Sequence, residues 1–158
     1  MGSVGKNIVD VDVDQLVEML NKALADEWLA FYQYWVGAKV ISGPMSGYVA
    51  GELEEHAKEE LMHAEMLVER ILKLKGIPIL DPKKWFDKTT CGYAVPDDFK
   101  VKSILKQNIG GEQCAIIAYK KILNFVREKD DVTFKMILKI LEDEIEHEDD
   151  LERIFEQL

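Results

Sequence analysis

Two tetrapeptides in this 158-residue chain have the form Glu-x-x-His: Glu60-Leu61-Met62-His63 and Glu144-Ile145-Glu146-His147. Residues three apart share a side of a helix, so each tetrapeptide puts a carboxylate and an imidazole on one face. Two further glutamates sit where the apolar pattern calls for leucine. Glu27 is in line with Leu20, Ala23, Leu24, Phe31 and Tyr34, and Glu112 lies between Ile109 and Ile116. The offsets repeat: His63 follows Glu27 by 36 residues and His147 follows Glu112 by 35.

Four carboxylates buried together would each lack solvation and would repel one another, which demands positive charge among them. Two divalent cations bring +4 against −4 and leave both imidazoles as neutral donors. Oxygen-rich ligation with one imidazole per ion suits iron, or manganese, better than a thiolate-loving metal, and six protein ligands over two ions leave positions open to an oxidant. A lone Glu-x-x-His in a glutamate-rich chain is ordinarily an exposed helix pair. The matched second copy and the two core glutamates favour the metal reading.

The elements that must position these residues are helices. Apolar residues recur at three and four in four blocks: Leu16, Leu20, Leu24, Phe31 and Trp35; Val49, Leu53, Leu61, Leu67, Val68 and Ile71; Leu105, Ile109, Ile116, Leu123 and Val126; and Ile137, Leu141, Ile145, Leu151 and Phe155. No alternating segment is long enough for a strand, so the class is all-α. Asp12 with Gln15 resembles a capping box, Ser42-Gly43-Pro44 breaks the first helix, and Ser46 is placed to cap the second. Lys75-Gly76-Ile77-Pro78 stops the second helix; Asp97 or Asp98 is placed to cap the third, and Asp130 or Asp131 the fourth.

Two connections are tight turns. The remaining one, from Ile77 to roughly Asp97, is long enough to travel the length of the bundle. The expected architecture is an antiparallel four-helix bundle with a long crossover between helices two and three, forming one domain over 1–158, with Trp85 and its neighbours pinning the crossover. Each glutamate lies near the middle of its helix, so all four fall at the same height.

Thirty Asp plus Glu against twenty Lys plus Arg give a net charge of −10. That field repels phosphate backbones and gathers cations. No uncharged run is long enough to span a membrane, and Met1 to Lys6 show no secretory signal, so a cytoplasmic location is expected. Cys91 and Cys114 are too few for a disulfide scaffold, and neither sits in a CxxC pair.

Tyr34 and Tyr119 each follow a core glutamate by seven residues, from where they could donate hydrogen bonds to ligating carboxylates or simply pack the core. His56, one heptad before His63, reads as a support for the ligands or a satisfied core residue. Gly110-Gly111 disfavours a helix interior and suggests close helix approach or a kink.

From helix one to helix four these residues resemble the ferritin-like di-iron family. The resemblance implies that Glu27 with His63 holds one iron, that Glu112 with His147 holds the other, and that Glu60 and Glu144 bridge them. The pattern resembles a bacterioferritin-type centre within one subunit, which implies two iron ions or, alternatively, manganese. Bacterioferritins carry a haem-binding methionine directly after the first motif's glutamate; Leu61 stands there, with Met62 next, so haem is not expected. They also add a fifth helix, whereas this chain ends at Leu158, which favours a smaller cage.

Typical Dps proteins stop after four helices, yet their site lies between subunits and lacks the paired motifs. The intermediate pattern is similar to the Dps-like thioferritin group, which has one cysteine in the crossover and one on helix three. Cys91 and Cys114 fit those places, implying a redox pair able to form a reversible disulfide; packing is the ordinary reading of a small buried cysteine.

The function so implied is Fe(II) oxidation by hydrogen peroxide or dioxygen, ferric storage in a dodecameric homo-oligomer, and protection against oxidative stress. A lysine-rich tail is reduced to Lys6, so DNA binding is not expected. The alternative is a redox enzyme without storage. A rubrerythrin-like peroxidase is disfavoured by Ala115 in place of an extra glutamate and by the lack of CxxC pairs, while a manganese catalase stays open. A metal-free structural bundle would leave the four carboxylates unexplained.

Overall fold

Asp12 starts the first helix, α1 (Val13–Val40), by accepting the Gln15 backbone N–H at 2.9 Å, as its sequence position suggests. The computed structural model describes residues 2, 4–5 and 8–158, so Lys6 and the N-terminal tail reading built on it lie outside the described residues. Helix α2 is Ser46–Lys73, α3 is the short Trp85–Lys88, α4 is Val101–Val126 and α5 is Asp131–Glu156. The four long helices expected are thus α1, α2, α4 and α5, and the described residues contain no strand.

Two caps differ from expectation for the same reason: backbone groups do the work. Ser46 is the first residue of α2 rather than its cap. Met45 sits before it in the left-handed region, and the Met45 carbonyl accepts the Tyr48 and Val49 N–H groups at 3.0 Å. At α4 neither Asp97 nor Asp98 caps, because the helix starts later and Lys100 holds the cap position; its carbonyl accepts the Ser103 N–H at 3.0 Å, and the Val101 N–H goes to the Ser42 carbonyl at 3.2 Å. Asp98 instead closes a turn on the Lys100 N–H at 2.8 Å. Asp130 does cap α5, accepting the Thr133 N–H at 3.1 Å.

Helix α2 ends in a Schellman pattern, with Gly76 N–H on the Ile71 carbonyl and Lys75 N–H on that of Leu72. The left-handed residue is Lys75, not the glycine. Gly76 is required for space, since a Cβ there would come within 2.7 Å of both Val17 methyl groups.

The crossover traces the topology. At its start the Asn21 amide binds the Ile77 carbonyl at 3.0 Å and the Ile79 N–H at 2.9 Å. Midway Trp85 stacks on Trp28 at 5.3 Å, and the Asp26 carboxylate accepts the Thr90 and Cys91 N–H groups at 2.9 Å. At its end Ser42 N–H meets the Phe99 carbonyl at 2.8 Å. The connection therefore climbs α1 from its first turns to its last, and α4 starts beside the end of α1. Helix α4 runs antiparallel to α1 and parallel to α2, in two hairpins, α1 with α2 and α4 with α5.

The apolar interior is in two parts. Leu16, Leu20, Leu67, Ile71, Leu123 and Ile137 anchor one. Leu53, Val101, Ile104, Leu105, Leu151 and Ile154 anchor the other. Trp35 and Ile145, placed on the apolar stripes by spacing, are 46% and 50% exposed and belong to neither. No helix of the described residues is long and apolar enough to cross a membrane.

One buried ion pair ties the two hairpins together. The Arg70 guanidinium on α2 gives two bonds to Asp130, at 2.8 and 2.6 Å, and one to Thr133 Oγ1 at 2.6 Å. Burial would raise the Asp130 carboxyl, but the bonds from Thr133 and Arg70 outweigh it and hold it below its ordinary value of 3.8. Asp130→Ala strands a buried guanidinium, and the expected loss is about 3–5 kcal/mol. Because the folded carboxyl is depressed, that difference between wild type and variant is full at neutral pH. It shrinks as pH falls below the ordinary carboxylate range toward the depressed value. Denaturant unfolding at pH 7 and at acid pH checks both, and equal stability of the two proteins at pH 7 would refute the assignment.

Candidate metal centre

Helix length and register bring the four core glutamates level. Glu27 and Glu60 are each the fifteenth residue of a 28-residue helix, while Glu112 and Glu144 are the twelfth and fourteenth of 26-residue helices. Together with His63 and His147 they fill the gap between the two apolar clusters, each at most 3% exposed. Ligand atoms of Glu27, Glu60, His63 and Glu144 lie within 4.8 Å of one another, as do those of Glu60, Glu112, Glu144 and His147. The two groups overlap in Glu60 and Glu144, one from each hairpin. All six residues singled out by spacing are thus brought to one place.

Each imidazole turns Nδ1 toward the middle and Nε2 outward. His63 Nδ1 lies 3.5 Å from Glu27, 3.3 Å from Glu60 and 3.2 Å from Glu144; His147 Nδ1 lies 3.4 Å from Glu60. The outer nitrogens are held by carboxylates of the opposite hairpin: His63 Nε2 by Asp143 at 3.2 Å and His147 Nε2 by Glu59 at 2.6 Å. A carboxylate behind a histidine fixes its ring and tautomer and makes the inner nitrogen a better donor. Glu59 and Asp143 were not among the expected site residues. Their signal is an acid directly before the glutamate of both motifs, Glu59-Glu60 and Asp143-Glu144, hard to notice in helices so rich in acids.

Tyr34 and Tyr119 also reach across. The Tyr34 hydroxyl on α1 donates to Glu112 on α4, and the Tyr119 hydroxyl on α4 donates to Glu27 on α1. Each phenol is buried and faces carboxylates, and both effects raise it well above its ordinary value. It stays a donor.

Without a cation this layer is electrostatically frustrated. Burial, then the charges of Glu60 and Glu144, raises Glu27 well above the ordinary carboxylate value; burial, then Glu144 and Glu60, does the same to Glu112. Burial disfavours charge on His147, yet the facing carboxylates of Glu144 and Glu60 push it up to about 12, and those of Glu144, Glu27 and Glu60 raise His63 as well. Five of the site's buried atoms have no hydrogen-bond partner: Glu27 Oε2, Glu60 Oε1, Glu112 Oε2, Glu144 Oε1 and His147 Nδ1. Orphaned lone pairs converging on one space are what divalent ions satisfy, and oxygen with one imidazole per group fits iron or manganese.

The layer opens on two sides. One cavity, of about 240 Å³, touches Glu27, Glu60, Glu112 and Glu144 and is walled by Ala30, Cys91, Gly110 and Gly111. The Gly110-Gly111 pair does not serve a close helix approach. A Cβ at Gly110 meets open space, one at Gly111 meets only Gln33 at 3.6 Å, and α4 continues through both as one helix. Their lack of side chains keeps this cavity open. Cys91 and Cys114 are joined as a disulfide with Cα atoms 5.7 Å apart, and the Asp26 bonds to Thr90 and Cys91 seat it. The second cavity, of about 150 Å³, is lined by acids, with His147 and His56 in its wall.

A bundle of two hairpins joined by a long crossover, with a carboxylate–histidine layer at mid-height, defines the class of di-metal carboxylate helical bundles. The ferritin-like domain family matches residues 17–158, and the chain belongs to that family. It is 36% identical over 140 residues to the DNA protection during starvation protein of Pyrococcus furiosus, covering 87% of this chain and 75% of that one. To the bacterioferritin of Desulfovibrio desulfuricans it is 31% identical over 134 residues, covering 84% and 70%.

Among solved structures, the dodecameric thioferritin of Bacteroides fragilis, a bacterioferritin-related protein, superposes with a TM-score of 0.93 at 47% identity, covering 96% of this chain and 92% of that one. Dps from Thermosynechococcus elongatus shares the fold, with a TM-score of 0.85 at 18% identity, over 96% and 94%. The family binds iron at a di-metal site, and the two overlapping groups fit such a site.

The crossed supports are open to test. Tyr34→Phe, Tyr119→Phe, Glu59→Gln and Asp143→Asn should each lower divalent-metal affinity by about 10- to 100-fold, with helicity unchanged by circular dichroism. Tyr32→Phe, at an exposed tyrosine, should not. Wild-type binding isotherms in all four variants would show that these contacts do not position ligands.

Proposed function

We propose that the protein is a Dps-like mini-ferritin that oxidises Fe(II) at this centre and stores the ferric product. The observation that carries the reading is the pair of carboxylate–histidine groups that overlap in Glu60 and Glu144. In it Glu27 with His63 holds one iron, Glu112 with His147 holds the other, and Glu60 and Glu144 bridge them. Iron is here the substrate: two Fe(II) give one electron each, and one hydrogen peroxide takes both to become two hydroxide ions, or one dioxygen takes both with two protons to become peroxide.

The protein's own groups prepare that exchange. Asp143 and Glu59 hold the imidazoles, Tyr34 and Tyr119 hold the two outer glutamates, and the apolar clusters above and below exclude bulk water. Cys91 and Cys114, beside the larger cavity, are a candidate second electron source. As thiols they would reduce one peroxide to two waters while closing the disulfide.

Storage needs a shell. Trp35, Tyr48, Ile77, Leu80, Phe86 and Phe99 stand 46% to 81% exposed on a single chain, a supply of apolar surface suited to contacts between copies. The likeness to a dodecameric thioferritin supports a homododecameric cage. A net charge of −10 favours protection by removing iron and peroxide over protection by coating DNA.

The test is anaerobic loading with Fe(II), titration with peroxide or dioxygen, and measurement of ferric absorbance and of iron co-eluting on size exclusion. Retention well above two irons per chain, lost together with rapid oxidation in Glu27→Ala and Glu112→Ala, is expected. Fast peroxide turnover with manganese and no retained iron would replace this reading with a catalase.

A further inference from the structure

The larger opening onto the layer has more room than hydrogen peroxide or dioxygen can use. Its volume is about 240 Å³. One water takes a share of about 30 Å³ in the liquid, and an apolar cavity of about 150 Å³ holds benzene. Either small oxidant is two heavy atoms, so space for a hydrocarbon group is left over, in a cavity that touches all four central glutamates.

The walls of that space suit a hydrocarbon. Ala30 on α1 and Gly110, Gly111 and Ala115 on α4 present methyl groups or bare helix backbone, and Cys91 in the crossover has its sulfur in the disulfide. The polar side chains beside them are turned to partners. Gln33 Nε2 donates to Asn108 Oδ1 at 3.1 Å, Asn108 Nδ2 to the Ile104 carbonyl at 2.8 Å, and Gln107 Nε2 to the Ala94 carbonyl. Asp26 Oδ1 accepts the Thr90 and Cys91 N–H groups, while Asp26 Oδ2 is a buried oxygen outside the layer with no partner. Gly92 and Ala94, also in the wall, are exposed, so the cavity meets solvent where the crossover passes α4. The space is therefore two-ended, with carboxylates within and small apolar groups toward the mouth.

We propose that the centre also accepts small alkyl hydroperoxides, with the O–O group at the carboxylate layer and the alkyl group against Ala30, Gly110, Gly111 and Ala115. The inference rests on the reading of the layer as a site of Fe(II) oxidation. Two Fe(II) give one electron each and the O–O bond breaks. The terminal oxygen leaves as hydroxide, and the oxygen on carbon takes a proton from solvent and leaves as the alcohol. Both electrons are delivered within the site, so no alkoxyl radical is released. These hydroperoxides are neutral, and a net charge of −10 does not repel them.

The probe is tert-butyl hydroperoxide, which has as many heavy atoms as benzene. The assembled full-length protein, disulfide intact, is loaded anaerobically with Fe(II) and mixed with the probe or with hydrogen peroxide. The expected products are one tert-butanol per two Fe(II) oxidised and no acetone, the fragment that marks a free tert-butoxyl radical. Gly111→Leu and Ala30→Leu fill the apolar end from different helices. Each should lower the ratio of the rate with the probe to the rate with hydrogen peroxide by about 10-fold or more, the scale on which a misfit in an apolar pocket discriminates, with helicity unchanged. Independently of iron, metal-free crystals under xenon should show a peak between Ala30 and Gly111 that Gly111→Leu removes. Fast oxidation by hydrogen peroxide with the probe no faster than on free Fe(II), acetone as the product, an unchanged rate ratio in both variants, or no xenon peak in the wild type overturns this inference and leaves the centre standing. Slow oxidation by both peroxides would remove the reading of the centre and this inference with it.

Discussion

Electroneutrality of one buried layer governs this molecule. Glu27, Glu60, Glu112 and Glu144 are within 3% of complete burial between two apolar clusters that offer no compensating charge. In the absence of cations the layer can only borrow protons, which is why two of its carboxyls and both imidazoles are shifted toward the protonated form, while Glu60, despite burial, is held down by His147 and His63. Glu27 and Glu112 are driven toward the neutral acid and His63 and His147 toward the cation. A leucine at any of these positions would serve folding better; their presence makes sense only if charge of the opposite sign arrives.

The layer is also where the two hairpins are joined. Tyr34 reaches Glu112 and Tyr119 reaches Glu27; Asp143 holds His63 and Glu59 holds His147. Every one of these bonds leaves one hairpin and ends in the other, and they come in matched pairs, as the matched offsets in the two halves of the chain require. Ligand positioning and hairpin docking are therefore one set of interactions. Where the layer is absent, toward one end of the bundle, Arg70 and Asp130 join the hairpins instead.

What could be read in advance follows from periodicity. A carboxylate on an apolar stripe stands out because the helix repeat predicts a leucine there, so the six central residues, the four helices and the crossover were all visible before any coordinates. What was hidden depends on the third dimension. Glu59 and Asp143 look like two more solvated acids in a chain with thirty, and only their partners across the bundle give them a role. Trp35 and Ile145 obey the spacing rule yet face outward, because a single-chain core does not reach them. Met45 and Lys100 precede helices whose first N–H groups are satisfied by backbone carbonyls, an arrangement with no side-chain signature. Gly76 reads in the sequence as part of a helix stop, and the structure needs it for the room it gives Val17.

Under the function proposed above, the two openings onto the layer would sort reactants by charge. The acidic cavity carries six carboxylates, and at a few ångströms even a high effective dielectric leaves attractions of a few kcal/mol for a divalent ion. Peroxide and dioxygen are uncharged and gain nothing from that field. The other cavity is larger, walled by Ala30, Gly110, Gly111 and a disulfide, and it touches Glu27, Glu60, Glu112 and Glu144 directly. A neutral molecule that enters there reaches the centre without crossing the cations' route. An ion that enters from the acidic side meets carboxylates and imidazoles all the way. The −10 net charge, concentrated in part at one mouth of the site, is thus arranged as a direction as well as an amount.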